Sequence, residues 1–338
     1  MLNRIQYIDV LRGFAIILVV LGHALEKNGY SDSFLYNMIY SFHMPLFFCI
    51  SGFVTMYSWK LDKGSHITDY FRYIWRKFIA IMIPFFVWSL IVSPFFLSSS
   101  FERSYDALLS SMNAIANNTI YWFLPCLFML ISINMIWNYI VNVIRKPKTE
   151  ILILLLLMAC VVAVSRVTDY VHSVLSFFIP FYIGIFCARY AKLYEMLVND
   201  KIIYTISIIL FCLLVGYFGL FGGYFGNGVI NRLIRLMTGI LSLPILFNLF
   251  ANYKFNRVVT EWMSILGRYT LVIYVSHMTF IKNIPILQDI GIFAQIIIFG
   301  TISILICFFC VLIAKFFERS NILSICFLGK KHRDLLNK

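Results

Sequence analysis

Charge is what this chain has least of. Acidic and basic side chains together make up 13% of its 338 residues, about half of the quarter that soluble domains carry. With 61% hydrophobic residues and a mean hydropathy of +0.87, too little polar surface remains to face water on every side. That excludes an ordinary soluble domain, a disordered chain and a coiled coil. The cysteines lack any framework: Cys49, Cys126, Cys160, Cys187, Cys212, Cys307, Cys310 and Cys326 sit mostly inside apolar runs, with no pair of pairs at metal-binding spacing. They read as small membrane hydrophobes, and neither a disulfide scaffold nor a metal site is expected. Acidic residues number 15 against 28 basic ones, a net charge of +13. In a membrane protein such an excess asks which side of the bilayer holds the cations, so no nucleic-acid partner is expected.

What the chain has is apolar length. A helix needs about 20 mainly apolar residues to cross the hydrocarbon. Ten candidates meet or approach that length, at roughly 8–26, 36–57, 73–97, 119–143, 150–165, 174–192, 202–221, 229–250, 269–287 and 290–317. The reading is an all-α integral membrane protein, a bundle of about ten transmembrane helices with both termini cytoplasmic. Under this topology 21 of the 28 basic residues fall on the cytoplasmic side, and only Lys27, Arg103 and Arg166 fall outside, as the positive-inside rule demands. The first apolar run resembles a signal peptide, but Asp9 precedes it, no small-x-small cleavage site follows and nine more spans come after, so it is expected to be retained. The longest outer loop, about 98–118, is too short for a core of its own. The chain therefore divides into a transmembrane domain, 1–320, and a short basic cytoplasmic tail, 321–338. No two-half repeat is visible, which weakens a secondary-transporter reading.

Ionisable residues inside a membrane are costly and mark function. The first helix holds Asp9, Arg12 and His23. Arg12 and His23 are eleven residues apart, about 20° past three full turns, and so share one face with a rise of about 16.5 Å. Asp9 lies close to that face and is placed to pair with Arg12. The bland alternative is that Arg12 snorkels to headgroups and His23 is interfacial. The second span opens with Ser41-Phe42-His43-Met44-Pro45. Running back toward the cytoplasm, it brings His43 to the depth of His23, and histidine is the side chain best suited to proton transfer near neutral pH. Pro45 bends the helix, while Ser51-Gly52 allows close packing.

The pattern Asp9-x-Leu11-Arg12-Gly13 followed by His23, then Phe42-His43-Met44-Pro45-Leu46-Phe47-Phe48 and Ser51-Gly52, resembles the opening signature of the acyltransferase 3 family of membrane O-acyltransferases, most closely the fucose 4-O-acetylase-like branch. Later stretches agree: Arg76-Lys77 leading to Ile83-Pro84 and Trp88, Tyr121-Trp122-Phe123-Leu124, and Leu266-Gly267-Arg268-Tyr269-Thr270 running into Tyr274 and His277. One departure is Ala80, which stands where the family often has a second arginine of the third-span basic motif.

The resemblance implies transfer of an acyl group, commonly acetyl from cytoplasmic acetyl-CoA, to a hydroxyl of a cell-surface or lipid-linked carbohydrate at the cytoplasmic membrane. Such chemistry needs a base for the hydroxyl proton and donors for the oxyanion. His23 is the expected base, His43 orients it or holds the acceptor, and Asp9 completes the expected catalytic set. Arg12, Arg72, Arg76 and Lys77 are candidates for the donor's phosphates, although positive-inside anchoring explains the third-span cluster equally well. Arg232 and Arg235, three residues apart and so on one helical face, enter the eighth span from the outer side. They bind an acidic or diphosphate-linked acceptor, or pair with outer headgroups. His277 and Trp122 complete the acceptor candidates, Trp122 by stacking on a sugar. A succinyl donor, a carrier for a polysaccharide or lipid-linked sugar, and association of two copies stay open.

Overall fold

The structure, a computed structural model, describes residues 6–62, 66–91, 121–144, 152, 154–156, 169–221, 229–284 and 290–330. Among them the regular structure is helical, with 89% helix and no strands. In chain order the helices are α1 (Gln6–Lys27), α2 (Phe34–Asp62), α3 (Ile67–Ile91), α4 (Phe123–Ile144), α5 (Asp169–Arg189), α6 (Ala191–Asn199), α7 (Lys201–Phe221), α8 (Val229–Asn252), α9 (Arg257–Arg268), α10 (Thr270–Ser276), a 3-10 turn at His277–Thr279, α11 (Ile292–Phe317) and α12 (Asn321–Leu328). Six of them (α1, α2, α3, α4, α8 and α11) are long and apolar enough to cross a membrane, or seven if the bent pair α5 and α6 forms one span. An apolar chain with this many spanning helices is an integral membrane protein. The expected fifth span, 150–165, falls almost wholly outside the described residues, as do residues 98–118, expected to form the longest outer loop, and 222–228.

The helix ends follow local chemistry. α1 stops at Gly29, whose φ of 84° is the left-handed conformation of a helix C′ position. The N–H of Tyr30 bonds the Leu25 carbonyl at 2.9 Å and that of Gly29 bonds Glu26 at 3.1 Å. This fixes the last turn of α1, which carries His23 and Glu26. α2 begins at Ser33, whose hydroxyl accepts from the Tyr36 N–H at 3.2 Å. Inside α2, Pro45 has no N–H to offer the Ser41 carbonyl. α8 comes close there: a Cβ on Gly239 would lie 2.5 Å from the Pro45 ring. α5 and α6 bend by 111°. The Val198 carbonyl at the end of α6 is taken by the side-chain amides of Asn248 and Asn252 at 2.6 and 2.9 Å.

The chain forms two compact units. The first, Met1–Tyr57 with Pro180–Ile313, is organised about α1. A Cβ on Gly13 would fall 2.0 Å from the Met263 carbonyl oxygen, and one on Gly267 would fall 1.9 Å from that of Asp9, so α1 and α9 touch backbone to backbone. Glycine is required at both positions because no other residue fits. Further along, the rings of His23 and His277 are 5.3 Å apart, and Asn28 Nδ2 donates to the Lys282 carbonyl across 254 residues. Gly13 with Gly267 at this crossing, His23 with His277 and Asn28 with Lys282 all stand 254 residues apart, so α1 and the α9, α10 and 3-10 series run parallel and in register. The ninth span was expected over 269–287; its helix instead starts at Arg257, capped by the Asn256 side chain, which accepts from Val258 N–H at 2.8 Å. The exposed ion pair of Arg257 with Glu261 at 2.8 Å lowers the local hydropathy and hides this start. Gly52 and Gly184 make a second close crossing, with Cβ positions 2.0 and 1.9 Å from the Phe181 and Cys49 carbonyls. Ser51-Gly52 thus serves packing.

The second unit, Ser58–Ile179 with Ala314–Lys338, is built on α3 and α4. Tyr70 and Tyr73 of α3 pack on Trp59, with ring centroids at 4.5 and 5.3 Å. Residues 321–328, assigned above to the tail, form α12 against α3: Trp88 Nε1 donates to the Phe327 carbonyl at 3.3 Å. α12 ends at Gly329 with φ 63°. A Cβ there would fall 2.2 Å from the Ala80 carbonyl oxygen.

Candidate active site

The first unit gathers the histidines. His23 Nδ1 lies 3.0 Å from Glu26 Oε2, one turn on along α1. A carboxylate only accepts, so Nδ1 of His23 carries a proton, and in the neutral ring Nε2 is the acceptor nitrogen. Tyr40 of α2 completes the triangle, donating to Glu26 Oε2 at 3.1 Å with its hydroxyl 3.3 Å from His23 Nδ1. The side chains of His23 and Glu26 are 30% and 49% exposed, which leaves the pair open to an incoming molecule.

His43 and His277 are held alike. Nδ1 of His43 bonds the Ile39 carbonyl at 2.8 Å and Nδ1 of His277 bonds the Ile273 carbonyl at 2.9 Å. A carbonyl cannot donate, so both rings carry the proton on Nδ1 and present Nε2 as an acceptor. His277 is 1% exposed, and its Nε2 has no hydrogen-bond partner among the described residues. The Tyr40 ring bridges the group, 4.8 Å from the His43 ring and 6.2 Å from that of His23. Tyr36 stacks on Tyr40 at 4.0 Å, and Arg235 lies within electrostatic reach of Tyr36. Glu26 and Tyr40 were not singled out in the sequence, although each lies three residues from a singled-out histidine and so on its face.

Asp9 and Arg12 do not join this group. They stand about 21 and 16.5 Å down the α1 axis from His23, Asp9 buried where α9 crosses. Arg232 falls in the first turn of α8, and its side chain lies outside the described residues.

The second unit holds the cations. Arg72 is paired with Asp69 at 3.4 Å. The Arg76 guanidinium and the Lys77 ammonium lie 5.8 and 5.1 Å from the centroid of the Tyr73 ring, a cation–π arrangement that fixes both heads toward the start of α3. Two fixed cations side by side suit phosphate oxygens. Ala80 stands where Gly329 approaches closest, so this stretch of α3 packs against the end of α12. Trp122 stacks on Phe177 at 5.4 Å.

The first unit thus gathers three imidazoles, each with Nδ1 engaged and one of them bonded to a carboxylate, a set of side chains chemically able to move protons near neutral pH. Residues 5–315 match the family described as "Acyltransferase domain", and the chain belongs to that family. Among curated proteins it is similar to "Nodulation protein NolL" of Sinorhizobium fredii (strain NBRC 101917 / NGR234), with 34% identity over 109 residues, 30% of this chain and 28% of that protein. The shared stretch thus spans under a third of the relative's length. No solved structure matches the chain significantly.

Proposed function

We propose that this protein is an O-acetyltransferase of the cytoplasmic membrane that moves acetyl from cytoplasmic acetyl-CoA to a hydroxyl of a cell-surface or lipid-linked carbohydrate. The observation that carries the reading is His23, held on Nδ1 by Glu26 at 3.0 Å and so left with a basic Nε2. In the step, Nε2 takes the acceptor's hydroxyl proton while the oxygen attacks the thioester carbonyl. The tetrahedral adduct then expels the thiolate, the C–S bond breaks, and the thiolate receives the proton from His23. Glu26 and Tyr40 hold the ring and stabilise the imidazolium that forms.

The substrate class follows from the other two rings. His43 and His277 offer buried acceptors and no free donors, a lining that suits a molecule rich in O–H groups, as sugars are. Arg235, within electrostatic reach of Tyr36, suits an acidic or diphosphate-linked acceptor. On the donor side, Arg76 and Lys77 are the residues fit to hold the phosphates of acetyl-CoA, with Arg12 a further candidate. Both termini lie in the cytoplasm in this reading, and the ten-span count stands with it.

The test is His23→Ala in cells, scored by ester groups on the envelope glycan per unit of protein. General-base loss costs about 10²–10⁴-fold, whereas a packing histidine barely alters turnover. Ester formation near the wild-type rate would remove His23 from the chemistry, and glycan modification without consumption of acetyl-CoA would replace the enzyme by a carrier.

A further inference from the structure

Along α4, Asn134, Asn138 and Asn142 recur every fourth residue in an otherwise apolar sequence. Four residues advance a helix by about 6 Å and 400°, so the three amides lie on one face over about 12 Å. The face begins in contact with α3, where Asn142 Nδ2 donates to the Tyr70 hydroxyl at 2.5 Å. Next, Asn138 Nδ2 donates to the Asn134 carbonyl at 2.9 Å. At the inner end Asn134 is 0% exposed, and neither its Oδ1 nor its Nδ2 has a hydrogen-bond partner among the described residues. Its neighbours Leu130, Met135 and Trp137 are fully buried as well and offer an amide little. An unsatisfied amide in a membrane interior is destabilising. Nothing in helix packing calls for one, because leucine fits the same volume.

The ladder adjoins the cations. Tyr70 meets Asn142 and Tyr139 while Phe78 meets Phe128, so α3 and α4 run antiparallel. Tyr73, which carries the Arg76 and Lys77 heads, is one turn inward from Tyr70. By this register the heads fall, in level along the helices, between Asn142 and Asn138, with Asn134 deeper.

We infer that this asparagine face is the track for the amide-bearing arm of the coenzyme A thioester, and that Asn134 is the residue that binds the arm at its inner end. The inference rests on the acetyl-CoA reading above. The arm carries two secondary amides separated by two methylene groups, and a trans amide points its N–H and C=O to opposite sides. Asn134 Nδ2 donates to the carbonyl of the amide nearer the phosphates and its Oδ1 accepts from the N–H of the amide nearest the thiol, which satisfies both orphaned atoms. Phosphates held by Arg76 and Lys77 would then leave the arm running along α4 toward Asn134.

The experiment measures binding by calorimetry to the full chain in lipid nanodiscs, with coenzyme A and with 3′-phosphoadenosine 5′-diphosphate, which keeps the phosphates and lacks the arm. Asn134→Leu should weaken coenzyme A by about tenfold or more, two neutral hydrogen bonds, and leave the armless probe unchanged. Equal affinity for coenzyme A in variant and wild type, or an equal loss for both probes, would overturn the inference. Should Asn134→Leu fail to fold, wild-type protein decides the matter with an analogue in which an ester replaces the amide nearest the thiol. It should bind more weakly than coenzyme A, and binding as tight would overturn the assignment. If the wild type binds neither probe, the donor reading itself fails, a result distinct from all of these.

Discussion

Glu26→Gln tests how His23 is made a base. The substitution keeps the length and shape of the side chain and its acceptor oxygen, but removes the charge that faces His23 Nδ1 at 3.0 Å. A hydrogen bond to a charged group contributes about 1.5–3 kcal/mol against about 0.5–1.5 for a neutral one. Glu26 is half exposed, so solvent screening puts the difference at the low end, about 1–1.5 kcal/mol. This stabilisation matters most once His23 has accepted the proton, so the loss should appear in kcat, at about 5–15-fold, with KM for both substrates nearly unchanged. The assay is initial-rate ester formation in membrane vesicles carrying variant or wild-type protein, with labelled acetyl-CoA and glycan from the source cells. A double variant adds the decisive control. Glu26 acts through His23, so Glu26→Gln should cost nothing further in a His23→Ala background. A wild-type kcat in Glu26→Gln, or a full additional loss in the double variant, would refute the positioning role.

Gly13→Val should lower the thermal stability of the detergent-solubilised protein by at least the roughly 1–3 kcal/mol of an overpacked core, because its Cβ would meet the Met263 carbonyl at 2.0 Å; an unchanged melting temperature would mean that α1 and α9 do not touch there. Arg76→Gln combined with Lys77→Gln should weaken acetyl-CoA binding by tenfold or more, while Arg72→Gln alone should do less because Asp69 already engages Arg72; equal affinity in all variants would leave the cluster only an anchoring role. A reporter fused after Lys338 should read cytoplasm and one inserted at Ser99 should read the outside, and the reverse pattern would invert the side from which donor and acceptor approach. His277→Leu should raise KM for the glycan more than it lowers kcat if, as proposed, the imidazole holds an acceptor hydroxyl; a selective kcat loss would move His277 into the proton path.

The helices were legible because hydropathy over twenty residues is a long-range signal that few substitutions disturb. Where it failed, the cause was local: the helix capped by Asn256 opens with Arg257 and Glu261, and their charge hides the first turns of a helix whose later turns, at Met263 and Gly267, cross α1. The parallel register of the two was not legible at all. It depends on Gly13 and Gly267, which lie 254 positions apart, like Asn28 and Lys282, and a missing side chain gives no periodicity to read. Likewise α12 reads as the head of a basic tail until Trp88 and Ala80 are seen to receive it.

The site shows a sharper asymmetry. Of the ionisable groups in the apolar helices, His23 and His43 meet at Tyr40 and His277 meets His23, whereas Asp9 and Arg12 stand about 21 and 16.5 Å down α1 from His23. Charge is visible in a sequence, but its depth relative to a partner on another helix is not. The neutral amides of α4 are less visible, because an asparagine costs less to bury than a charge and is commonly excused as helix packing. Asn138 and Asn142 do find partners, on the Asn134 carbonyl and on Tyr70. Asn134 does not, and a group with two unused bonds at full burial is informative in the way a buried charge is: its stabilising partner has to arrive from elsewhere. His277 Nε2 stands in the same position in the other unit. Asn134 and His277 Nε2 are thus two of several buried groups without a hydrogen-bond partner among the described residues, Asn37 Oδ1, Ser264 Oγ and Gln295 Oε1 being others, and they are the two that lie in the candidate donor and acceptor sites. In the proposed reading the amide serves an amide-linked donor and the nitrogen a hydroxyl-bearing acceptor, and Asn134→Leu and His277→Leu test the two separately.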